Sequence, residues 1–368
     1  MFTYIYQLAA WPEFTWDEKV ITPLLIEIRF RQGKMLGRME ALGIGLQTEA
    51  NLSTLSLEVI KSSEIEGEIL NAQEVRSSIA RRLGIDIQPN VVASRDVEGV
   101  VEMVMDAVNS FREPLTSEKL FDWHCALFPT GRSGIYKIIV GKWRENDSSH
   151  PMQVVSGPMG KEKIHFEAPA SNQINEMMNQ FLNWLNQPSS LDPVLKSAIA
   201  HLWFVTIHPF DDGNGRIGRA IMDRQLAVAD GNEKRFYSMS SQILKERKEY
   251  YLQLEAAQKG MLDITAYLKW FLSCLDRAIL NTDNVLSNIL TKSHFWKQHA
   301  EVSLNARQIK MINQLLDGFE GNLTTKKWAK ICKCSEDTAL RDITRLMELD
   351  MLKKTNSGGR STSYELVV

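Results

Sequence analysis

One twelve-residue stretch, His208-Pro209-Phe210-Asp211-Asp212-Gly213-Asn214-Gly215-Arg216-Ile217-Gly218-Arg219, limits what this chain can fold into more than any other feature. It gathers a histidine, two carboxylates, three glycines, an amide and two guanidinium groups, a mixture for which an ordinary core segment has no use. Gly213, Asn214 and Gly215 can turn the chain so that successive backbone N–H groups point inward, and such a turn at the start of a helix is an anion cradle. Arg216 and Arg219 then lie three apart on that helix, where both forks reach one polyphosphate. Asp212 is a hard oxygen ligand suited to Mg²⁺ on the same phosphates. His208, before the turn, is the side chain best able to take a proton near neutral pH.

Two plainer readings account for less. Gly213-x-Gly215-x-x-Gly218 formally matches a dinucleotide fingerprint, with Leu202 to Ile207 as the strand before it. In that fingerprint the glycines follow the strand directly, whereas five residues intervene here and arginines fill variable positions. A structural histidine beside a solvated arginine face leaves the glycines and carboxylates without a purpose.

Letter for letter, these residues match HxFx(D/E)GNGRxxR and resemble the signature of the Fic family. That resemblance implies a mostly helical domain that transfers AMP from ATP to a protein hydroxyl and releases pyrophosphate. By the same resemblance His208 is the general base, Asp212 the Mg²⁺ ligand and Phe210 the packing residue that anchors the loop. Gly213, Asn214 and Gly215 form the anion hole, Arg216 holds the β-phosphate and Arg219 the γ-phosphate.

Upstream, Ser62-Ser63-Glu64-Ile65-Glu66-Gly67 ends a helical pattern in which Leu52, Leu55 and Val59 recur at three- and four-residue spacing, and Gly67 suits the stop. It resembles the [S/T]xxxE[G/N] inhibitory motif of Fic proteins in its N-terminal arrangement. The resemblance implies that Glu66 binds Arg219 and takes its guanidinium from the γ-phosphate. Carboxylate and phosphate do compete for one bidentate fork. Gly141-Lys142-Trp143-Arg144 resembles the G-x-aromatic-R that precedes a target-docking flap. The flap itself is expected from Gln153 to Phe166. Gln153-Val154-Val155-Ser156 and Lys163-Ile164-His165-Phe166 are strand-like around the turn residues Gly157-Pro158-Met159-Gly160. An edge hairpin of this kind can pair with an extended target. Tyr250, Tyr251 and Gln258 resemble the family's element near the nucleoside, with Gln258 standing where the family has Asn.

The rest of the chain reads as helix after helix, so the expected fold class is mainly α, a Fic-like helical core with a β-hairpin flap. Residues 1–94 read as an N-terminal helical module carrying the 62–67 motif, punctuated by Pro12, Pro23 and Gly43-Ile44-Gly45. Its aromatic start, Trp11 to Trp16, resembles a module often found ahead of bacterial Fic domains. The catalytic domain is placed at 95–285, with Pro114 to Ser117 and Asp192-Pro193 as helix-start signals, and a linker at 286–300. Residues 301–368 read as helices over 305–316, 325–333 and 336–349, then strands Leu352 to Lys354 and Tyr364 to Leu366 around Ser357-Gly358-Gly359-Arg360. That pattern looks like a winged helix. A DNA reader would use Arg341, Arg345, Lys353, Lys354 and Arg360, yet the segment has only eleven basic residues against nine acidic ones, so a protein-docking wing competes with nucleic acid.

With a net charge of −2 and pI near 6.4, the total offers no attraction to nucleic acid or membrane. Cys125, Cys274, Cys332 and Cys334 are too scattered for a disulfide framework, and Cys332-Lys333-Cys334 lacks the second pair that a zinc site needs. The start of the chain has no basic region and apolar run, so a cytoplasmic location is expected. ATP with Mg²⁺, hydroxyl-bearing target proteins (this chain included) and a homodimer are the expected partners. Three alternatives stay open: removal of AMP with Glu66 positioning water, a different nucleotide donor, and a DNA-binding regulator whose domain senses nucleotide.

Overall fold

A computed structural model describes residues 3–87, 91–145, 151–157, 163–316, 318–319, 321–355 and 362–367, apart from the side chains of 284 and 285. Five helices come first: α1 (Glu18–Glu40), α2 (Ile44–Ile65), α3 (Ala72–Arg82), α4 (Arg95–Asn109) and α5 (Ser117–Leu127). A small antiparallel hairpin, β1 (Arg132–Ser133) with β2 (Tyr136–Lys137), precedes a larger one, β3 (Gln153–Ser156) with β4 (Lys163–Glu167). Then follow α6 (Ser171–Asn186), α7 (Pro193–Ile207), α8 (Asn214–Asp230), α9 (Met239–Lys245), α10 (Arg247–Gln258) and α11 (Thr265–Gln298). The chain closes with α12 (Ala306–Leu316), α13 (Thr325–Cys332), α14 (Glu336–Glu348), β5 (Leu352–Lys354) and β6 (Tyr364–Leu366). The fold is mainly α, as the helical patterning predicts.

Local chemistry starts the helices where the sequence marks them. The Thr116 side chain accepts from Lys119 N ahead of α5, Asp192 accepts from Val194 N ahead of α7 with Pro193 in the first turn, and Ser335 accepts from Thr338 N ahead of α14. Val194 to Ile207 are all buried, so the apolar run 202–207 belongs to a central helix sheathed on every side and not to a strand. Pro23 does not break the chain either. It lies in the second turn of α1, where its missing N–H removes a single helical hydrogen bond.

Compact packing divides the chain into two units. The first comprises Met1–Gly43, Asn51–Ile85 and Val91–Thr282, so residues before and after 94 pack within it. The aromatic start explains why. Tyr4 and Tyr6 meet Phe166 edge-on, with ring centroids 5.1 and 6.1 Å away, and Trp11 and Phe14 meet Trp203 at 6.0 and 5.8 Å. Thr15 exchanges backbone bonds with Leu262 and Ile264. The N-terminal segment therefore completes the core around α7.

The second unit comprises Ile44–Ala50, Asp86–Asn90 and Asp283–Val368. Trp328, Met311, Ile312, Ile343, Leu346 and Leu352 form its core. Strands β5 and β6 pair antiparallel with Leu352 opposite Leu366, and Leu323 bridges to Tyr364. Residues 286–298, expected as linker, are helical, the last part of α11. No proline or glycine interrupts them, and Leu286, Ile289 and Phe295 are buried. The expected tip Ser357 to Arg360 lies outside the described residues. Among the described residues no helix is long and apolar enough to cross a membrane.

Candidate active site

The 208–219 stretch is the connection between α7 and α8, and its conformation is strongly determined. His208 caps α7 in the left-handed region at φ 52°, with its N–H on Phe204 O, and Gly213 caps α8 at φ 81°, a conformation that suits glycine. The Asn214 side chain closes the loop on itself. Its Oδ1 accepts from Phe210 N at 3.0 Å and its Nδ2 donates to Phe210 O at 2.8 Å. Both ends of the Asn214 amide are thereby committed to the loop. Phe210 is fully buried, stacked on His124 at 4.2 Å and tilted against Trp143 at 5.1 Å.

Side chains from elsewhere lock the loop further. Arg144 donates through Nε to His208 O at 2.8 Å and through Nη2 to Pro169 O at 2.5 Å, while its N–H bonds Pro209 O at 2.9 Å. Burial brings its guanidinium down to about 10, so it stays charged at neutral pH. Gly141 N donates to His124 Nδ1, leaving His124 Nε2–H to donate to Asp212 O at 3.2 Å. Burial pushes His124 down to about 4, and it works as a neutral ring. Asp211 accepts from Ile139 N at 2.8 Å.

His208 is set up as a neutral base. Its Nδ1 lies 3.3 Å from Val205 O, and since a carbonyl can only accept, Nδ1 carries the proton and the Nε2 lone pair is available. Burial, opposed by that bond, pushes its pKa down to about 4.

Both arginines are sealed. Arg219 is 1% exposed in its side chain; it donates from Nε to Ser62 Oγ at 3.0 Å and from Nη2 to Ser62 O at 2.8 Å. Its Nη1 lies 2.8 Å from Glu66 Oε1, an ion pair whose N–H direction misses hydrogen-bond alignment. Burial opposes the charge of Arg219, yet Glu66 raises its guanidinium above the usual value. The Glu66 carboxylate also fills the cradle. A Cβ built on Gly215 would meet Glu66 Oε1 at 2.1 Å, so only glycine lets the carboxylate come this close to the backbone at the α8 N-terminus. Helix α2 is pinned for this by Glu58, which accepts from Ser238 Oγ at 2.6 Å and Ser240 N at 3.1 Å. Glu66 is the C-cap of α2, and Gly67 follows at φ 86°. Arg216 donates from Nη1 to Glu68 Oε2 at 2.6 Å.

Asp212 offers a single carboxylate. Its Oδ1 accepts from Gly213 N at 2.6 Å and its Oδ2 from the Ser133 hydroxyl. Among the described residues no group of three His, Cys, Asp or Glu side chains could hold a metal alone. One carboxylate fits Mg²⁺ that arrives with phosphate and water as its other ligands, since Mg²⁺ keeps several waters in such sites.

The segments expected to form a flap pair as an antiparallel hairpin. Val154 pairs with Phe166, Val155 with Ile164 and Ser156 with Lys163, with an irregularity between Val154 and Val155. Val155 and Ile164 are exposed. His165 clasps the hairpin to α10: its Nε2 lies 2.6 Å from Ser156 Oγ and its Nδ1 2.7 Å from Glu255 Oε2. Gly157 is described, but Pro158, Met159 and Gly160 lie outside the described residues. Of the three residues expected near a nucleoside, Tyr251 alone stays open, 38% exposed, with its hydroxyl 3.4 Å from Ile65 O. Tyr250 is buried with its hydroxyl on His201 Nε2 at 3.1 Å, and the buried Gln258 amide points to Val205 O and Thr206 Oγ1, both at 3.4 Å. They face the core because α10 turns that side toward α7. Glu68, His124 and Ser133 were not anticipated, for no spacing in the sequence links them to the motif.

Mostly helical packing around a signature-bearing α7–α8 turn defines the Fic type of fold. Residues 114–226 match the Fic/DOC family and are the Fic domain of this chain, and residues 4–85 match a domain of unknown function, DUF4172. Among curated proteins, the protein adenylyltransferase Fic of Drosophila grimshawi is 34% identical over 113 residues, 30% of this chain and 22% of that protein. Its namesake in Drosophila willistoni is 25% identical over 226 residues, 60% of this chain and 40% of that one. The chain thus spans less than half the length of these relatives. A solved Fic family protein from Desulfovibrio desulfuricans G20 is similar over 94% of this chain and 97% of its own, with a TM-score of 0.50 at 19% identity. A Fic domain containing signaling protein from Bacteroides thetaiotaomicron VPI-5482 covers 71% of this chain and 97% of its own, with a TM-score of 0.51 at 18% identity. These two likenesses concern the fold.

Proposed function

We propose that the chain is a protein adenylyltransferase that transfers AMP from ATP to a Ser, Thr or Tyr hydroxyl, and that Glu66 holds it off at rest. The observation that carries this reading is the Glu66 carboxylate inside the cradle, paired with a fully buried Arg219 beside a neutral His208. An anion already occupies the place where a phosphate would bind. The adenylyltransferase names of the curated relatives supply the reaction class.

In the proposed reaction the α8 N-terminus and Arg216 receive the phosphates, and Arg219 receives the γ-phosphate once Glu66 leaves. A target segment lies along the flap as an added strand, with Val154, Val155, Ser156 and Gly157 on one side of the hairpin and Ile164 and His165 on the other. Its hydroxyl proton passes to His208 Nε2, a bond forms from the hydroxyl oxygen to the α-phosphorus, and the bond from that phosphorus to the pyrophosphate oxygen breaks. Pyrophosphate leaves with its electron pair. Mg²⁺, held by Asp212 and phosphate oxygens, would supply charge neutralisation on the polyphosphate. Positioning and charge stabilisation carry most of such a transfer.

Incubation with ATP labelled on the α-phosphate tests the reading. Glu66→Gly is expected to label itself or an added lysate far more than the wild type, and addition of His208→Ala should remove that label. Equal labelling with and without His208 would take His208 out of its role, and unchanged labelling and ATP affinity in Glu66→Gly would take Glu66 out of its own. Release of AMP from a labelled target by the wild type, lost in the Glu66 variant, would favour removal over transfer.

The second unit reads as winged-helix-like. Three of its basic side chains are paired within the unit, Arg307 with Asp342, Arg345 with Glu348 and Lys353 with Glu365, and with eleven basic residues against nine acidic ones over 301–368 the small charge excess favours protein docking over nucleic acid.

A further inference from the structure

The short inhibitory pattern accounts for one of the two arginines. The other has a carboxylate of its own. Arg216, with only 4% of its side chain exposed, donates from Nη1 to Oε2 of Glu68 at 2.6 Å, whereas the Glu68 side chain is 46% exposed. Glu68 thus reaches from the surface to a guanidinium that is otherwise sealed. Arg216 Nε is buried with no hydrogen-bond partner among the described residues, so the fork keeps a donor for something else. Its carbon centre lies 5.0 Å from the centroid of the Phe128 ring, which fixes the fork in place. One structural feature delivers both carboxylates. The turn that ends α2 bonds Glu66 N and Glu68 N to the same carbonyl, Ser63 O, each at 3.0 Å.

Resting on the reading that Arg216 takes the β-phosphate and Arg219 the γ-phosphate, we propose that Glu68 is a second gate on the nucleotide. With Glu66 on Arg219 and Glu68 on Arg216, the resting protein accepts a nucleoside monophosphate in preference to a di- or triphosphate. AMP displaces neither carboxylate. ADP must displace Glu68, and ATP must displace both. Negative charge is already gathered near Glu68: burial raises its carboxyl, Arg216 opposes this, and Asp212, Glu66 and Asp96 add to the rise. A β-phosphate that entered without removing Glu68 would set a second anion beside the carboxylate on one fork.

Calorimetric titration of the full chain with AMP, ADP and ATP, each with Mg²⁺, tests this in the wild type, Glu68→Ala, Glu68→Gln and Glu66→Gly. Glu68 is exposed after the last turn of α2, so its removal leaves the core intact. Glu68→Ala is expected to tighten ADP by roughly tenfold, the scale of one charge-assisted hydrogen bond, and to leave AMP within about twofold. Glu68→Gln should fall between, because its amide oxygen still accepts from Arg216. Glu66→Gly should tighten ATP more than ADP. If Glu68→Ala leaves ADP unchanged, or tightens AMP equally, the second gate is wrong, while a gain in ATP affinity by Glu66→Gly keeps the cradle reading. If no variant binds any of the three nucleotides, the cradle reading falls and the gate falls with it.

Discussion

The cradle between α7 and α8 and the flap hairpin serve one proposed reaction, yet they are built on opposite principles. The side chains that shape the cradle loop are tied inside the protein, with Asn214 on Phe210, Arg144 on His208 and His124 on Asp212, and its anchoring ring is fully buried. The flap leaves Val155 and Ile164 exposed, and it is held at its base by the buried Phe166 against Tyr4 and Tyr6 and by His165 on Glu255. The difference separates two tasks. Groups that touch a reacting phosphorus need fixed positions, since preorganised charge costs no reorganisation during the reaction. A surface that receives different peptide segments works through backbone pairing and tolerates adjustment.

Four measurements break or sharpen that contrast. His208→Ala in the Glu66→Gly background should lower AMP transfer by about a thousandfold, the range of a lost general base, with ATP affinity held within a few fold. Single-turnover labelling reads both, and a residual rate above a tenth would move the base elsewhere. Phe210→Ala removes the fully buried anchor and should cost about 3–5 kcal/mol in urea unfolding. A cost below about 1 kcal/mol, the size of an ordinary surface change, would mean the cradle is not held by its ring.

The third measurement is pH dependence. In the folded chain His124 and His208 titrate at about 4 and His201 at about 3, all pushed down first by burial. In the unfolded chain they take protons near the ordinary 6.5. Below that value the unfolded state binds protons that the folded state refuses, so stability falls as pH drops from about 6.5 to about 4 and is level above 6.5 with respect to these groups. The urea midpoint should follow that slope, and AMP transfer by Glu66→Gly should lose no base near pH 6.5. A transfer rate that halves at that pH would mean that His208 is open to solvent. The smallest effect belongs to the flap. His165→Ala removes the clasp and should raise the KM for a protein target by about three- to tenfold, as expected for one exposed charge-assisted contact, with ATP binding unchanged. A larger loss in kcat than in KM would make the flap part of the rigid machinery.

Much of this was legible beforehand, and the reason is local chemistry. Thr116, Asp192 and Ser335 start helices through bonds to residues two or three positions away, so their sequence neighbours suffice to predict them. The residue types from His208 to Arg219 likewise announce a base beside a phosphate cradle, and Ser62 to Gly67 announce a helix that ends on a carboxylate. Residues 286–298 were harder to place, because Leu286, Ile289 and Phe295, all buried, do not share one helical face, and burial set by tertiary packing leaves no local period to read. Tyr250 and Gln258 have the polar groups of ligand-binding residues, and only the rotation of α10 turns them inward.

What the sequence by itself determined is the chemistry available: a histidine able to accept a proton, glycines that free backbone N–H groups, two arginine forks and a distant glutamate. Tertiary structure decided which charges meet. Glu66 reaches Arg219 and Glu68 reaches Arg216 across roughly 150 positions of chain, because Glu58 pins α2 beside α9 and the turn after α2 aims both carboxylates at the start of α8. Ionic contacts of that span depend on the packing between helices, and local sequence encodes the helices but not their meeting.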